Sequence, residues 1–270
     1  MDNKTKIDVT EITDLHVHTT ISHDGASTSE DYVKLAIKNQ DKRIAFSEHY
    51  DYDSYLADKN YKLENLDFYA SEIARLRDKY SDKIDILFGI EFGYGEGVED
   101  HYSTLIKKYP FDYIINSTHT IDGVDCYADR HSKLMPKNVA YTKYLELLYK
   151  SLSAPYDWQI VGHIGYPSRY SSYEDKLLKY DEFSPILDAI LIKIIEKQKY
   201  LEINSSTSSV LEFLPEKNIV QRYVELGGTK FTFGSDAHST ARYKDKCETV
   251  ANYLANSGFT PVAFKNRKPF

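Results

Sequence analysis

The chain has 270 residues, 41% of them hydrophobic and 28% charged, with a formal net charge of −7: a globular composition, long enough for one α/β barrel or two small domains. The acidic balance excludes general attraction to a nucleic-acid backbone, so an anionic substrate needs locally placed positive charge. Two cysteines, Cys126 and Cys247, exclude both a disulfide framework and a thiolate metal site.

Strand-like and helix-like runs alternate from the first element to the last. TDLHVHT (13–19) reads as a strand, and Thr28 to Asp31 forms a capping-box-like start for a helix over 29–40. RIAFSEH (43–49) is the second strand, with a long loop over 50–63 and a helix over 64–80 behind it. IDILFGIEF (84–92) leads to a helix over 98–109, and DYIINSTH (112–119) leads to a second long loop over 120–136. The helix over 136–153 places Val139, Leu145, Leu148 and Leu152 in helical spacing. WQIVGHIG (158–165), YLEINSS (200–206) and KFTFGSDAH (230–238) are the remaining strands, with helices over 181–199, 215–227 and 245–257.

Seven strand–helix units in a row predict an α/β fold of parallel strands with helical crossovers. No linker, low-complexity segment or internal repeat divides the chain, so one domain over 1–270 is expected. The start, MDNKTKIDVT, has no apolar core of signal-peptide type, and the longest apolar run, ILDAILIKII, carries Asp188 and Lys193. A cytoplasmic protein without membrane association is therefore expected. The 24 tyrosines exceed average usage, and half-buried surface is their ordinary place.

Side chains with metal-ligand chemistry recur at the carboxyl ends of these strands. His16, His18 and His23 follow the first, His49 closes the second, Glu91 the third and His119 the fourth, while His163 lies near the end of the fifth and Asp236 and His238 close the last. Singly each has a bland reading, a strand-end histidine or a buried ion-pair carboxylate. Jointly they take seven of the nine histidines, leaving only His101, read as a surface residue, and His131. His16 and His18 are two apart and share one strand face, as do Asp236 and His238. Parallel strands in a barrel bring all these ends to one rim. Imidazole plus carboxylate, without thiolate, suits Zn, Mn or Fe.

The motifs DLHVH, SEH, GIEFG, STH, GHIG, EINSS and GSDAH resemble those of the PHP (polymerase and histidinol phosphatase) family, in family order and over nearly the whole chain. The resemblance implies a distorted (β/α)7 barrel of TIM-barrel type with up to three divalent ions at its rim. It implies His16, His18, Glu91 and Asp236 around a first ion, Glu91, His119 and His163 around a second, and His23, His49 and His238 around a third. Many members have Asp where His23 stands, and Asp24 follows at once, so either could bind the third ion. Length and the GHIGYPSRY stretch are most similar to the stand-alone histidinol-phosphatase branch, which implies a small phosphorylated substrate, L-histidinol phosphate, with Arg169 on the phosphate.

Hydrolysis of a phosphomonoester needs neutralised phosphoryl oxygens and a nucleophile at neutral pH, which clustered ions with a bridging water and an arginine together supply. Asp236, His238, Asp24 and His131 are candidate proton donors to the leaving group. Arg130 is a candidate phosphate contact, Asp125 and Tyr127 candidate contacts for an imidazole and ammonium, and Asn204 a brace for the rim. Phosphotyrosine or a nucleotide are alternative substrates. A non-catalytic metal-binding module is the reading from a different class, although none of the nine ligand positions is apolar.

Overall fold

The computed structural model describes residues 7–207, 212–255 and 257–270. In chain order its strands are β1 (Arg43–Phe46), β2 (His49–Tyr50), β3 (Asp85–Gly93), β4 (Tyr113–Ser117), β5 (Thr120–Ile121), β6 (Val124–Asp125), β7 (Ile160–Val161), β8 (Tyr200–Asn204), β9 (Phe231–Gly234), β10 (Phe264–Lys265) and β11 (Lys268–Pro269). The main sheet runs β1-β3-β4-β7-β8-β9, with β2 also against β3, and each of these pairings is parallel. β3 is buried from Ile86 to Gly93, the continuous apolar pattern of a strand covered on both faces.

Helices at Ser29–Lys38, Leu66–Lys79, Glu99–Lys108, Lys137–Ser151, Tyr180–Glu196, Lys217–Glu225 and Cys247–Leu254 occupy the seven predicted places. The Thr28–Asp31 capping box forms as its sequence suggests. The two long loops are less irregular than expected: Tyr52–Ala57 is a short helix, β5 and β6 make a hairpin, and His131–Leu134 is one helical turn.

The first predicted strand departs from the pattern. Residues 13–19 form only isolated bridges, Asp14 to Phe233 and Val17 to Ala237. The cause is a side chain: Val17 N donates to Ser47 Oγ at 3.1 Å rather than to a carbonyl. The segment still closes the ring, because Leu15 N and His18 N donate to Phe233 O and Ala237 O at 3.0 and 2.9 Å on one side. On the other side Ser47 N donates to Val17 O at 2.9 Å. Tyr113 reinforces this thin seam. Its ring lies against Gly89, where any Cβ would stand 2.2 Å from it, and its hydroxyl reaches Leu15 O (2.8 Å) and Phe46 O (3.1 Å).

The antiparallel β10–β11 hairpin covers the amino-terminal mouth. Arg267 N donates to Asp112 O at 2.8 Å and Asn266 N to Asp112 Oδ1 at 3.1 Å, just before β4. Phe264 is fully buried in a cluster with Leu15, Ala45, Leu87, Tyr113, Ile115 and Ile160, the inward side chains of the ring. Truncation to Phe264→Ala is expected to cost about 3–5 kcal/mol of unfolding free energy, measured by urea denaturation. A cost near zero would mean that the hairpin does not seal the barrel.

Candidate metal centre and active site

The carboxyl-terminal mouth is organised around Glu91, which β3 holds opposite His49 of β2 and Ile115 of β4. Its carboxylate is fully buried. Five imidazoles approach it: His16 Nε2 at 3.3 Å, His18 Nε2 at 3.6 Å, His49 Nδ1 at 2.8 Å, His119 Nε2 at 3.2 Å and His163 Nε2 at 2.9 Å. Ser117 Oγ donates to it at 2.6 Å.

Three groupings can be traced around this centre. His16 and His18 lie 3.7 and 3.4 Å from Asp236 Oδ1 and share Glu91 with it. His119 and His163 lie 3.3 Å apart at Nε2 beside the same carboxylate. His49 and His238 stand 3.4 Å apart at Nε2, and Asp24 Oδ2 is 3.1 Å from His238 and 3.8 Å from His49. The first two sets bring together side chains that the sequence had grouped. In the third, of the two candidates left open, Asp24 stands with His49 and His238, while His23 Nδ1 is 3.1 Å from Glu64 Oε1, its ring centroid 5.8 Å from that of His49 and its side chain 55% exposed. Glu64 draws it there. Asp236 carries a left-handed backbone, φ +52°, which an aspartate adopts more readily than most residues and which aims its carboxylate inward.

Three carboxylates that the sequence did not single out hold this arrangement. Glu202 Oε1 lies 2.6 Å from His16 Nδ1, and its other oxygen accepts from His163 N at 2.7 Å. Gly234 makes this possible, since a Cβ there would stand 2.2 Å from Glu202 Oε1 and 2.7 Å from His16 Cβ. Asp51 Oδ1 lies 2.8 Å from His119 Nδ1. Each pair is a carboxylate fixing the far nitrogen of a ligand-grade histidine, so that Nε2 is presented to the centre. Glu48, fully buried, accepts from the amides and hydroxyls of Thr19 and Ser22 and shapes the turn before His23 and Asp24. The alternation in DYD and in EIN was the available signal for Asp51 and Glu202. Glu202 opens the EINSS motif, but neither residue closes a strand as the ligand-type side chains do.

The electrostatics are those of a cation site. Burial opposes a proton on His16 and His119, yet Glu202 and Glu91 around the first, and Asp51 and Glu91 around the second, hold both well above the ordinary histidine range. His49 is pushed up to about 10 against its burial, chiefly by Glu91. Burial opposes ionisation of Glu91 and Asp236 too, but His16 and its neighbours keep both carboxylates well below their usual range. His18 is the exception, forced neutral by burial and by His49 and His238. His16 Nε2, His18 Nε2, His49 Nδ1 and Glu91 Oε2 are buried without hydrogen-bond partners, although His49 Nδ1 and Glu91 Oε2 lie only 2.8 Å apart. Buried polar atoms crowded at contact distance without hydrogen-bond geometry fit divalent ions between them, and imidazole with carboxylate is the donor set of Zn, Mn or Fe.

A cavity of about 440 Å³ opens over the cluster, lined by His23, Asp24, His49, Asp51, His119, Asp125, Tyr127, His163, Tyr166, Arg169, Tyr170, Ser206, Asp236 and His238. Arg169 is buried beneath it, with Nη1 donating to Asp236 Oδ2 at 2.7 Å and Nη2 to Asn204 Oδ1 at 2.6 Å. Its guanidinium carbon is 5.4 Å from the Tyr166 ring centroid. Asn204 thus braces the rim as expected. Asp125 accepts from Tyr127 N at 2.8 Å, and Tyr127 is largely exposed at the mouth, edge-on to Tyr170.

Two expectations fail here. Arg130 is exposed and does not line the cavity, because the left-handed turn at Asp129 (φ +47°) redirects the chain just before it. His131 is buried beside Tyr173, outside the cavity, and is no proton donor to it. His101 is not a bare surface residue either. Its ring stacks on Tyr52 at 3.7 Å and pins the 52–57 helix.

The chain belongs to the PHP domain family, whose model matches residues 14–206. It is 30% identical over 264 residues to a probable histidinol-phosphatase of Clostridium acetobutylicum, covering 94% of this chain and 97% of that one. It is also 30% identical over 254 residues to the histidinol-phosphatase of Lactococcus lactis, covering 93% of each. The crystal structure of the histidinol phosphate phosphatase of Lactococcus lactis, complexed with Zn, L-histidinol and phosphate, superposes with a TM-score of 0.82 at 27% identity, over 96% of this chain and 99% of that one.

Two outcomes follow for the metal-free protein. Zn²⁺ added at pH 7 is expected to release protons, because cations displace those that carboxylates hold on His16, His49 and His119. The release, measured by pH-stat, falls as pH rises through the raised values and the imidazoles deprotonate first. No release at pH 7 would contradict the charge assignment. Separately, Glu202→Gln and Asp51→Asn are each expected to weaken metal binding about 10- to 100-fold in competition with a chromophoric chelator, and unchanged affinity would remove their supporting role.

Proposed function

We propose that the protein is a metal-dependent phosphomonoesterase that hydrolyses L-histidinol phosphate to L-histidinol and phosphate, acting in histidine biosynthesis in the cytoplasm as one domain over 1–270. The observation that carries the reading is a single cavity lined by both the Glu91-centred cluster and Arg169, in a chain closely similar in fold to an enzyme whose crystal structure holds Zn, L-histidinol and phosphate. No helix among the described residues is long and apolar enough to cross a membrane.

We assign up to three divalent ions, Zn, Mn or Fe, to this cluster. His16, His18, Glu91 and Asp236 would hold the first, Glu91, His119 and His163 the second, and His49, His238 and Asp24 the third. Bound ions supply charge neutralisation at the phosphoryl oxygens and a water whose pKa falls from about 15.7 to about 7.

The chain's own residues orient and discriminate. Arg169 is held by Asp236 and Asn204 with its guanidinium plane fixed, so a phosphate meets a charged donor already in place. Tyr166 and Tyr170 wall that end and keep water from the guanidinium. Asp236 and His238 line the cavity and are the groups assigned to move a proton to the leaving oxygen; Asp236 rests ionised, so it must first take the proton that the attacking water gives up. His238 Nδ1 donates to Asp236 O at 3.0 Å, which fixes the ring. Asp125 and Tyr127 flank the leaving group and offer a carboxylate and a ring to a cationic amine.

The test is purified, metal-loaded protein assayed on L-histidinol phosphate, nucleoside monophosphates and a phosphotyrosyl peptide. The highest kcat/KM is expected on L-histidinol phosphate, with activity abolished by a strong chelator and restored by metal. Arg169→Ala is expected to lower kcat/KM about 10- to 100-fold. Preference for a nucleotide or the phosphopeptide would refute the substrate assignment, and full activity after exhaustive chelation would refute the metal.

A further inference from the structure

We infer that a second cavity, on the far side of the 52–57 helix from the metal-type cluster, binds a small primary amine, with the buried Asp53 carboxylate receiving the ammonium group. The inference goes beyond the phosphomonoesterase reading and does not depend on it.

This cavity holds about 610 Å³ and shares no lining residue with the cavity over the cluster. The helix Tyr52–Ala57 divides the two. Asp51, its N-cap residue, holds His119 on one side, while Asp53, Leu56 and Ala57 line the other. The helix Lys137–Ser151 supplies a second wall, where Lys143, Glu146, Leu147 and Lys150 recur at three- and four-residue intervals and so share one face. Two ion pairs stand at the solvent edge: Lys143 Nζ to Asp122 Oδ2, in the turn between β5 and β6, and Lys150 Nζ to Glu96 Oε1, each at 2.6 Å.

Asp53 is the buried end of this cavity. It is only 6% exposed, its Oδ2 accepts from Thr120 Oγ1 at 3.2 Å, and its Oδ1 has no hydrogen-bond partner among the described residues. Gly95, also in the lining, leaves room for it, since a Cβ there would stand 2.4 Å from Asp53 Cβ and 3.2 Å from Oδ2. A buried carboxylate oxygen without a donor is a costly feature for a protein to keep. Burial, and then the nearby Asp51, push the Asp53 carboxyl up to about 7, as befits an acid whose neighbour is another acid and not a cation.

The remaining walls define the donor that would complete it. Four carboxylates and two lysines line the cavity, and both lysines are already engaged with Asp122 and Glu96 at the edge. The lining is therefore acidic in balance, and among the described residues no Lys or Arg pairs with Asp53. Leu56, Ala57 and Leu147 give the walls apolar surface. An ammonium brings the missing charge and three N–H donors together, and a short hydrocarbon body covers the apolar part. A carboxylate or phosphate would meet like charge here, the reverse of the cavity that contains Arg169.

The experiment uses metal-loaded protein at pH 8, above the Asp53 value, with n-butylamine as the probe and n-butanol and butyrate as controls of equal carbon length. Dissociation constants come from NMR titration, and circular dichroism checks that each variant is folded. Butylamine is expected to bind about 10-fold or more tightly than either control, and Asp53→Asn to remove that preference. Glu146→Lys, a change at an exposed position on the helical wall, is expected to weaken butylamine about 3-fold or more. Asp125→Asn, in the other cavity, is expected to bind butylamine as wild type does. Equal affinity for butylamine and butanol would overturn the inference, as would a wild-type preference in Asp53→Asn. Loss of butylamine binding in Asp125→Asn would also overturn it, by placing the amine over the metal-type cluster. Should Asp53→Asn not fold, unchanged affinity in Glu146→Lys overturns the inference alone.

Discussion

A fully buried carboxylate ringed by imidazoles is the constraint on which this molecule depends. Glu91 sits near the carboxyl end of β3 and is fully buried, and a buried anion without compensating charge would be strongly destabilising. Five histidines from four other parts of the chain supply that compensation. They can do so only because parallel pairing brings the carboxyl ends of distant strands to one rim. In the absence of ions the imidazoles borrow protons to balance the acids, and cations replace those protons, so folding and metal binding draw on the same charges.

The two mouths of the barrel have separate tasks. The amino-terminal end is closed by the β10–β11 hairpin and by inward apolar residues, with Tyr113 tying the thin first segment to β1. The opposite end gathers buried histidines and carboxylates around Glu91 and leaves a cavity above them. Close backbone approach serves both ends: Gly89 admits the Tyr113 ring, and Gly234 admits Glu202 to His16.

Much of this was legible in the sequence, and the misses have physical causes. Helix places, the parallel order and the gathering of metal-grade side chains from β2, β3 and the residues just beyond β4 and β9 follow from periodicity and from residues standing at strand ends. The first segment reads as a strand by alternation, but a serine hydroxyl takes one of its amide bonds, which no pattern of hydrophobicity encodes. The sequence left His23 and Asp24 both open, and the buried Glu64, 41 residues from His23, draws the His23 ring to itself through a contact that no local pattern encodes. Asp51 and Glu202 were missed because they act through a histidine rather than at the centre, and their role exists only once the strands are side by side. Arg130 was misplaced because a single left-handed residue turns the chain.

The most direct measurement is crystallographic: anomalous scattering from metal-loaded wild type and from Glu91→Gln, collected at the absorption edge of the bound metal. The account predicts more than one ion in wild type, with Glu91 bridging neighbours, and concerted loss of those ions in the variant while the barrel is retained. Ions bound at separated places with no common carboxylate, or an undiminished set of ions in Glu91→Gln, would contradict it.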